Sequence, residues 1–216
     1  MKILALDPAR STGYALVEVI NNSANIYEYG IIDVDTSSEF SGDWCIDVIE
    51  RVKALILKHQ VTEVCVEDYF FSSKFATGVN VNAAFRTAIH IACRQLKIPY
   101  YIINISEWKK FVAGRSTPSK EQKKLWTKEA AKKIFIQDSL WRRWKFRFAN
   151  HSISNKTGKP ILFRFDIVDV VAQVVFHLKK QHNIDSVQMT VTPPVDVDFG
   201  KLTKQQKKKI YLYQEQ

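Results

Sequence analysis

Apolar positions along this chain follow one period at its start and another further on. In "KILALD", "GYALVEVI" and "NIYEYGIIDVD" they fill short runs rich in Ile, Val and Tyr, with turn residues at Pro8 to Gly13 and at Asn21-Asn22-Ser23. Such runs predict three consecutive strands, and connections this short predict an antiparallel meander. From about Asp43 to His59 the spacing becomes helical, with Cys45, Val48, Ile49, Val52, Leu55 and Ile56 on one face and Asp43 as the N-cap. "TEVCVEDYF" reads as a fourth strand and "PYYIINI" as a fifth. Between them, residues 78 to 97 read as a helix with Ala84, Phe85, Ala88, Ile89, Ala92 and Leu96 on one side. Ser119 with Gln122 forms a capping box for a basic helix reaching about Phe135, and a last helix runs from Asp166 to about Gln181.

Three antiparallel strands, then helix–strand–helix–strand, then helices, describe an α/β fold: a mixed five-stranded sheet with helices on its faces. The expected organisation is one domain over residues 1–185, interrupted by a basic aromatic insertion at about 139–165. A basic tail over 186–216 follows, with lysines at 204 and 207 to 209. A hydrophobic content of 46% with 12% aromatics in 216 residues argues for a folded core and against disorder. No apolar run reaches the roughly 18–20 residues a membrane span needs. The start lacks the cleavage site of a signal peptide. Cys45, Cys65 and Cys93 are odd in number and sit in apolar periodic segments, which predicts free thiols in a reducing compartment. The expected location is therefore intracellular, cytoplasmic or nucleoid-associated, or inside the host cell for a viral protein.

Charge narrows the partner. Lys and Arg total 32 against 22 acids, a net +10, and from Ser139 to Phe165 there is no acid at all. That stretch holds Arg142, Arg143, Lys145, Arg147, Lys156, Lys159 and Arg164, interleaved with Trp141, Trp144, Phe146 and Phe148. Cations that neutralise phosphates, beside aromatics on which bases stack, fit nucleic acid ahead of membrane. The same aromatics could instead cover the sheet.

The acids supply the candidate chemistry. Asp166 and Asp169 open an otherwise apolar helix three residues apart, so they share a face. One reading makes Asp166 an N-cap with Asp169 three positions on, favoured by the helix dipole. The other places a divalent cation between the two carboxylates. Asp7 ends the first strand and Glu67 the fourth, positions where acids are unusual. If those strands are neighbours, all four carboxylates meet at one edge of the sheet, which solvation alone does not explain. His151, His177 and His182 have no metal-ligand spacing and receive no role.

Asp7-Pro8 with the Gly13-Tyr14 turn, Glu67 with Phe70 close behind, and Asp166-x-x-Asp169 at the last helix together resemble the RuvC family. These are Holliday junction resolvases of the RNase H-like nuclease superfamily. "KKFVAGRSTPSKEQ" is similar to the family's Lys–Gly–Lys–Gln segment, with Lys109, Gly114, Lys120 and Gln122 in matching places. The resemblance covers roughly residues 1–125 and 164–182. Ala9 departs from the family's usual Gly, about 25 extra residues precede Asp166, and the tail has no counterpart. These departures mark a divergent member, with a virus or phage as the expected source.

The resemblance implies an RNase H-like fold and a Mg2+-dependent, structure-selective endonuclease that resolves four-way junctions by paired phosphodiester hydrolysis. It implies two Mg2+ ions per site, replaceable by Mn2+, held by Asp7, Glu67, Asp166 and Asp169, with Lys120 completing the catalytic set. It also implies that Phe70, or Tyr69 in its place, stacks on a base at the junction centre. Lys109, Lys110, Arg115, Arg142, Arg143, Lys145 and Arg147 are the candidate DNA contacts. The expected partners are branched DNA and a second copy of the chain, with no membrane and no small-molecule cofactor. Competing readings are a less selective nuclease for branched, flapped or RNA–DNA hybrid substrates, and a catalytically silent junction-binding protein.

Overall fold

The computed structural model describes residues 1–34, 41–68, 76–114, 152–153, 160–161 and 165–189. The chain divides into two compact units, Met1–Phe146 with Phe165–Val191, and Arg147–Arg164 with Thr192–Gln216. In the first, β1 (Lys2–Asp7), β2 (Ser11–Ile20) and β3 (Ser23–Asp33) form the expected antiparallel meander. Asn21 and Asn22 join β2 to β3 with φ of 48° and 59°. This left-handed pair is what a two-residue hairpin turn of type I′ requires. Next come α1 (Ser41–His59), β4 (Glu63–Glu67), α2 (Ala76–Leu96), β5 (Tyr100–Ile103) and α3 (Ile105–Ala113). The second unit contributes a short antiparallel pair, β6 (Ser152–Ile153) with β7 (Pro160–Ile161). The first unit is completed by α4 (Phe165–His182) and β8 (Ser186–Met189).

The main sheet runs β5-β4-β1-β2-β3-β8. It has six strands rather than five, because the start of the expected tail is a strand. Ser186–Met189 pairs parallel to Ser23–Ile26 and covers the outer edge of β3, which would otherwise offer unpaired backbone groups. α1 begins at Ser41, so Asp43 stands in its first turn and not at its cap, where the helix dipole still favours it.

Alternation along the strands divides the core into two layers. Leu4, Leu6, Leu16, Val64 and Val66 pack with Val48, Val52 and Ile56 of α1 and Phe85, Ile89 and Cys93 of α2. The opposite face carries Ile3, Ala5, Ala15 and Cys65, all fully buried, and α4 lies across it against β1 and β2. Ala5 and Ala15 are a cross-strand pair whose small side chains let the helix approach closely. From Asp169 to Leu178 every residue of α4 is buried, as its nearly uniform apolar sequence requires. Cys65 and Cys93 are buried free thiols and Cys45 a half-buried one. Among the described residues no helix is long and apolar enough to cross a membrane.

The sequence reading missed α3. Its start is marked by Asn104, in extended conformation, whose side chain accepts hydrogen bonds from the backbone N–H of Ser106 at 3.0 Å and of Glu107 at 3.3 Å. Gly114 ends the helix at φ 74°, a left-handed position that suits glycine. The basic helix expected from Ser119, with Gln122, lies outside the described residues. Asn104→Ala should lower stability by about 0.5–2 kcal/mol, the usual loss for an N-cap. Urea unfolding of the two proteins checks this, and equal midpoints would deny the cap a role.

Candidate active site

β1 and β4 run parallel in a register from Ile3 beside Glu63 to Leu6 beside Val66. One step further stand Asp7 and Glu67, the last residues of their strands, on the face covered by α4. Asp7 is nearly buried. The turn after it is clipped by Thr12, whose buried hydroxyl donates to the Ala9 carbonyl at 2.7 Å and accepts from the Ala9 N–H at 3.3 Å. Asp7 and Glu67 are hydrogen-bonded to each other, and α4 brings the buried Asp169 close enough for its charge to act on Glu67. From the other side, the fully buried Trp108 of α3 donates its indole N–H to Glu67 Oε1 at 2.7 Å. The Lys109 ammonium lies 5.2 Å from the centroid of that indole.

Glu67 therefore holds its proton more firmly than an ordinary glutamate. Burial is the main cause and the Asp169 charge adds to it. The hydrogen bond with Asp7, the Lys109 charge and the Trp108 hydrogen bond pull the other way without cancelling the rise. A hydrogen bond between two carboxyl groups needs a proton on one of them, since ionised carboxylates only accept. A divalent cation can replace that proton and neutralise the cluster. The donor set is entirely oxygen, which suits a hard ion such as Mg2+.

The structure thus brings together Asp7, Glu67 and Asp169, with Lys109 beside them. Asp166 stands one turn before Asp169. Phe165 ahead of it is already helical, so Asp166 belongs to the first turn of α4 and is not its cap. Lys110 is exposed on α3. Tyr69, Phe70, Arg115, Lys120, Arg142, Arg143, Lys145 and Arg147 lie outside the described residues. Sequence reasoning overlooked Trp108, although Ile105, Trp108 and Val112 recur at helical spacing and mark it as an inward residue of α3. It also overlooked Gln173, one turn after Asp169, fully buried with no hydrogen-bond partner for its amide among the described residues.

Residues 3–132 match the family model of the crossover junction endodeoxyribonuclease RuvC. The chain belongs to the RuvC family. It is 31% identical to the RuvC of Helicobacter pylori strain 26695 over 128 residues, 56% of this chain and 76% of that one. With the RuvC of Nitratiruptor it shares 31% over 147 residues, covering 65% and 91% of the two chains. Solved structures share the fold at low identity. Thermus thermophilus RuvC in complex with a Holliday junction substrate matches at a TM-score of 0.58 and 16% identity, over 82% of this chain and 92% of that one. A yeast mitochondrial Holliday junction resolvase matches at 0.53 and 12%, over 84% and 79%. The RNase H-like architecture expected from the sequence is thereby established. RuvC chemistry depends on a divalent metal, in keeping with the all-oxygen cluster.

The raised Glu67 fixes a sign for the metal-free protein. Its unfolded-state carboxyl ionises near 4.5 and its folded-state carboxyl higher. Between the two values the folded state binds more protons, so stability falls as pH rises through that window. Glu67→Gln should remove that loss, keep the acceptor for Trp108, and be at least as stable as the parent at pH 7 in a chelator. Thermal unfolding against pH checks this; a steeper loss in the variant would mean that Glu67 is stabilised as the anion.

Proposed function

We propose that this chain is a Mg2+-dependent, structure-selective endonuclease that resolves four-way DNA junctions, working as a homodimer. The observation that carries the reading is the convergence of Asp7, Glu67 and Asp169 at one end of the sheet in a RuvC-family chain. Two Mg2+ ions, replaceable by Mn2+, would polarise the scissile phosphate, lower the pKa of the attacking water and stabilise the leaving oxygen. By resemblance to the family, Asp7, Glu67, Asp166 and Asp169 would be the carboxylates that hold these ions. Trp108 holds Glu67 Oε1 by its hydrogen bond, which fixes the orientation of that carboxylate. Lys109 offsets part of the negative charge that an incoming phosphate would meet.

Other residues follow from the family motifs and from charge. Lys120 matches the family lysine and positions the phosphate or the water. Phe70, or Tyr69, stacks on a base at the crossover. Lys110, Arg115, Arg142, Arg143, Lys145 and Arg147 neutralise backbone phosphates, with the aromatics of the insertion beside them. Residues 1–185 together with β8 act as one nuclease domain carrying that insertion, and the basic chain after β8 adds phosphate contacts. A homodimer provides two sites related by two-fold symmetry, which paired incision of a symmetric junction requires.

The test is cleavage of labelled junction, flap, RNA–DNA hybrid and plain duplex with Mg2+. Junction cutting should dominate. Asp7→Asn, Glu67→Gln and Asp169→Asn should each abolish it while junction binding persists, because each removes a ligand and also lowers the negative charge facing DNA. Substantial cutting by Asp7→Asn or Glu67→Gln would sink the metal assignment, and equal cutting of all substrates would leave a general nuclease.

Phe70→Ala should slow junction cleavage about tenfold or more, since stacking is worth roughly 1–3 kcal/mol per base. A junction whose centre already holds unpaired bases should be cut with a smaller deficit. A large fall in melting temperature with no rescue on the opened junction would instead make Phe70 a core residue.

A further inference from the structure

The far ends of β4 and α4 meet in a second polar cluster that the nuclease chemistry does not use. Glu63 opens β4, four residues before Glu67 and on the same face. His177 lies two turns beyond Asp169 on α4, and His182 is the last residue of that helix. Glu63 Oε1 is 2.5 Å from His177 Nε2 and 2.9 Å from His182 Nε2. All three potential ligand atoms lie within 4.8 Å of one another. Glu63 and His177 are buried, with side chains 8% and 2% exposed, whereas His182 is 22% exposed and leaves one side open to solvent.

We propose that Glu63, His177 and His182 form a binding site for a zinc-class divalent ion, separate from the oxygen-lined catalytic cluster. Two imidazole nitrogens and one carboxylate are the protein ligands of an open zinc site, with water as the fourth. Imidazole selects zinc and its neighbours, whereas Mg2+ prefers oxygen, so the two clusters discriminate between ions. Tetrahedral zinc with bonds of about 2.0–2.2 Å needs ligand atoms about 3.3 Å apart. The Glu63 Oε1 contacts, at 2.5 Å to His177 and 2.9 Å to His182, open to that by about 0.8 and 0.4 Å once the ion replaces the protons now shared with Glu63 Oε1. Burial raises the Glu63 carboxyl, but hydrogen bonds from His177 and His182, and then their charges, bring it below the ordinary value. Cys65 lies between Glu63 and Glu67, but burial and then the Glu63 charge hold its thiol well above the usual range, so it stays protonated.

Such an ion would cross-link the start of β4 to the end of α4. Those two elements carry Glu67 and Asp169 at their other ends. The ring of His177 is already held 5.2 Å from that of Tyr101 on β5 and 5.5 Å from that of His182.

The test reads metal binding, so it stands apart from cleavage. The full chain, freed of metal and held in excess Mg2+, is titrated with Zn2+ against a chromophoric chelator while its melting temperature is followed. One equivalent of zinc should bind despite the Mg2+ and raise the melting temperature. Glu63→Gln and His182→Gln should each weaken binding about 100-fold or more, the upper end of what a supporting residue costs. His182 is partly exposed at a helix end, so its variant tests the site without opening the core. Asp7→Asn should bind zinc as the parent does. Absence of zinc binding under Mg2+, or equal binding by His182→Gln, would reduce the cluster to a hydrogen-bonded ion pair. Loss of zinc in Asp7→Asn alone would move the ion to the catalytic acids.

Discussion

The parallel pairing of β1 with β4 is the constraint on which the rest of this molecule depends. It sets Asp7 beside Glu67 across one strand spacing and points both at the face covered by α4. A slip of one residue would turn one of them to the opposite face, among Leu4, Leu6, Val64 and Val66. Parallel neighbours cannot be joined by a hairpin, so the chain must cross over, and α1 lies in the connection that returns it. That helix buries Val48, Val52 and Ile56 against the same leucines and valines, so the packing that drives folding also fixes the register.

The two faces of the sheet then do different work. One is continuous apolar core, bounded by α1 and α2. The other mixes apolar residues with Asp7, Glu67 and Asp169, whose burial costs free energy while no ion neutralises them. The protein reduces that cost locally. Trp108 gives Glu67 a hydrogen bond, Asp7 shares another, and Lys109 brings a positive charge. Beside the cluster, the Asp68–Arg86 ion pair ties the end of β4 to α2. The burial cost that remains would be relieved by a cation, in line with the metal site proposed above.

Much of this was legible in the sequence because its signals are local. Alternation and turn chemistry located the strands, helical spacing located α1 and α2, and acids at strand ends flagged Asp7 and Glu67. The helix-borne Asp169 was legible because an acid in so apolar a segment conflicts with burial. What escaped depends on contacts between distant residues. Trp108 reaches Glu67 across 41 positions and His177 reaches Glu63 across 114. His177 and His182 are five apart, a separation that places them on different faces of a regular helix, so no motif announces them. They converge because His182 is the terminal residue and Glu63 draws both. β8 escaped for another reason: four residues with one strongly apolar β-branched side chain carry too little pattern, and only the open edge of β3 makes them a strand.

The stripe on α4 has a consequence for how the helix is seated. A segment apolar on all sides can rotate or slide on a flat bed of alanine and valine at small cost, because burial is not directional. Asp169 and His177, two turns apart, remove that freedom. They face a second stripe on β4, where Glu63, Cys65 and Glu67 alternate onto the same side. Asp169 acts on Glu67 at one end and His177 bonds Glu63 at the other, so a slide by one turn breaks both relations at once. Directional interactions at two points define a position on the sheet that packing alone leaves loose. The helix that carries Asp169 is thus indexed by polar contacts at its two ends, and its apolar surface supplies adhesion rather than register.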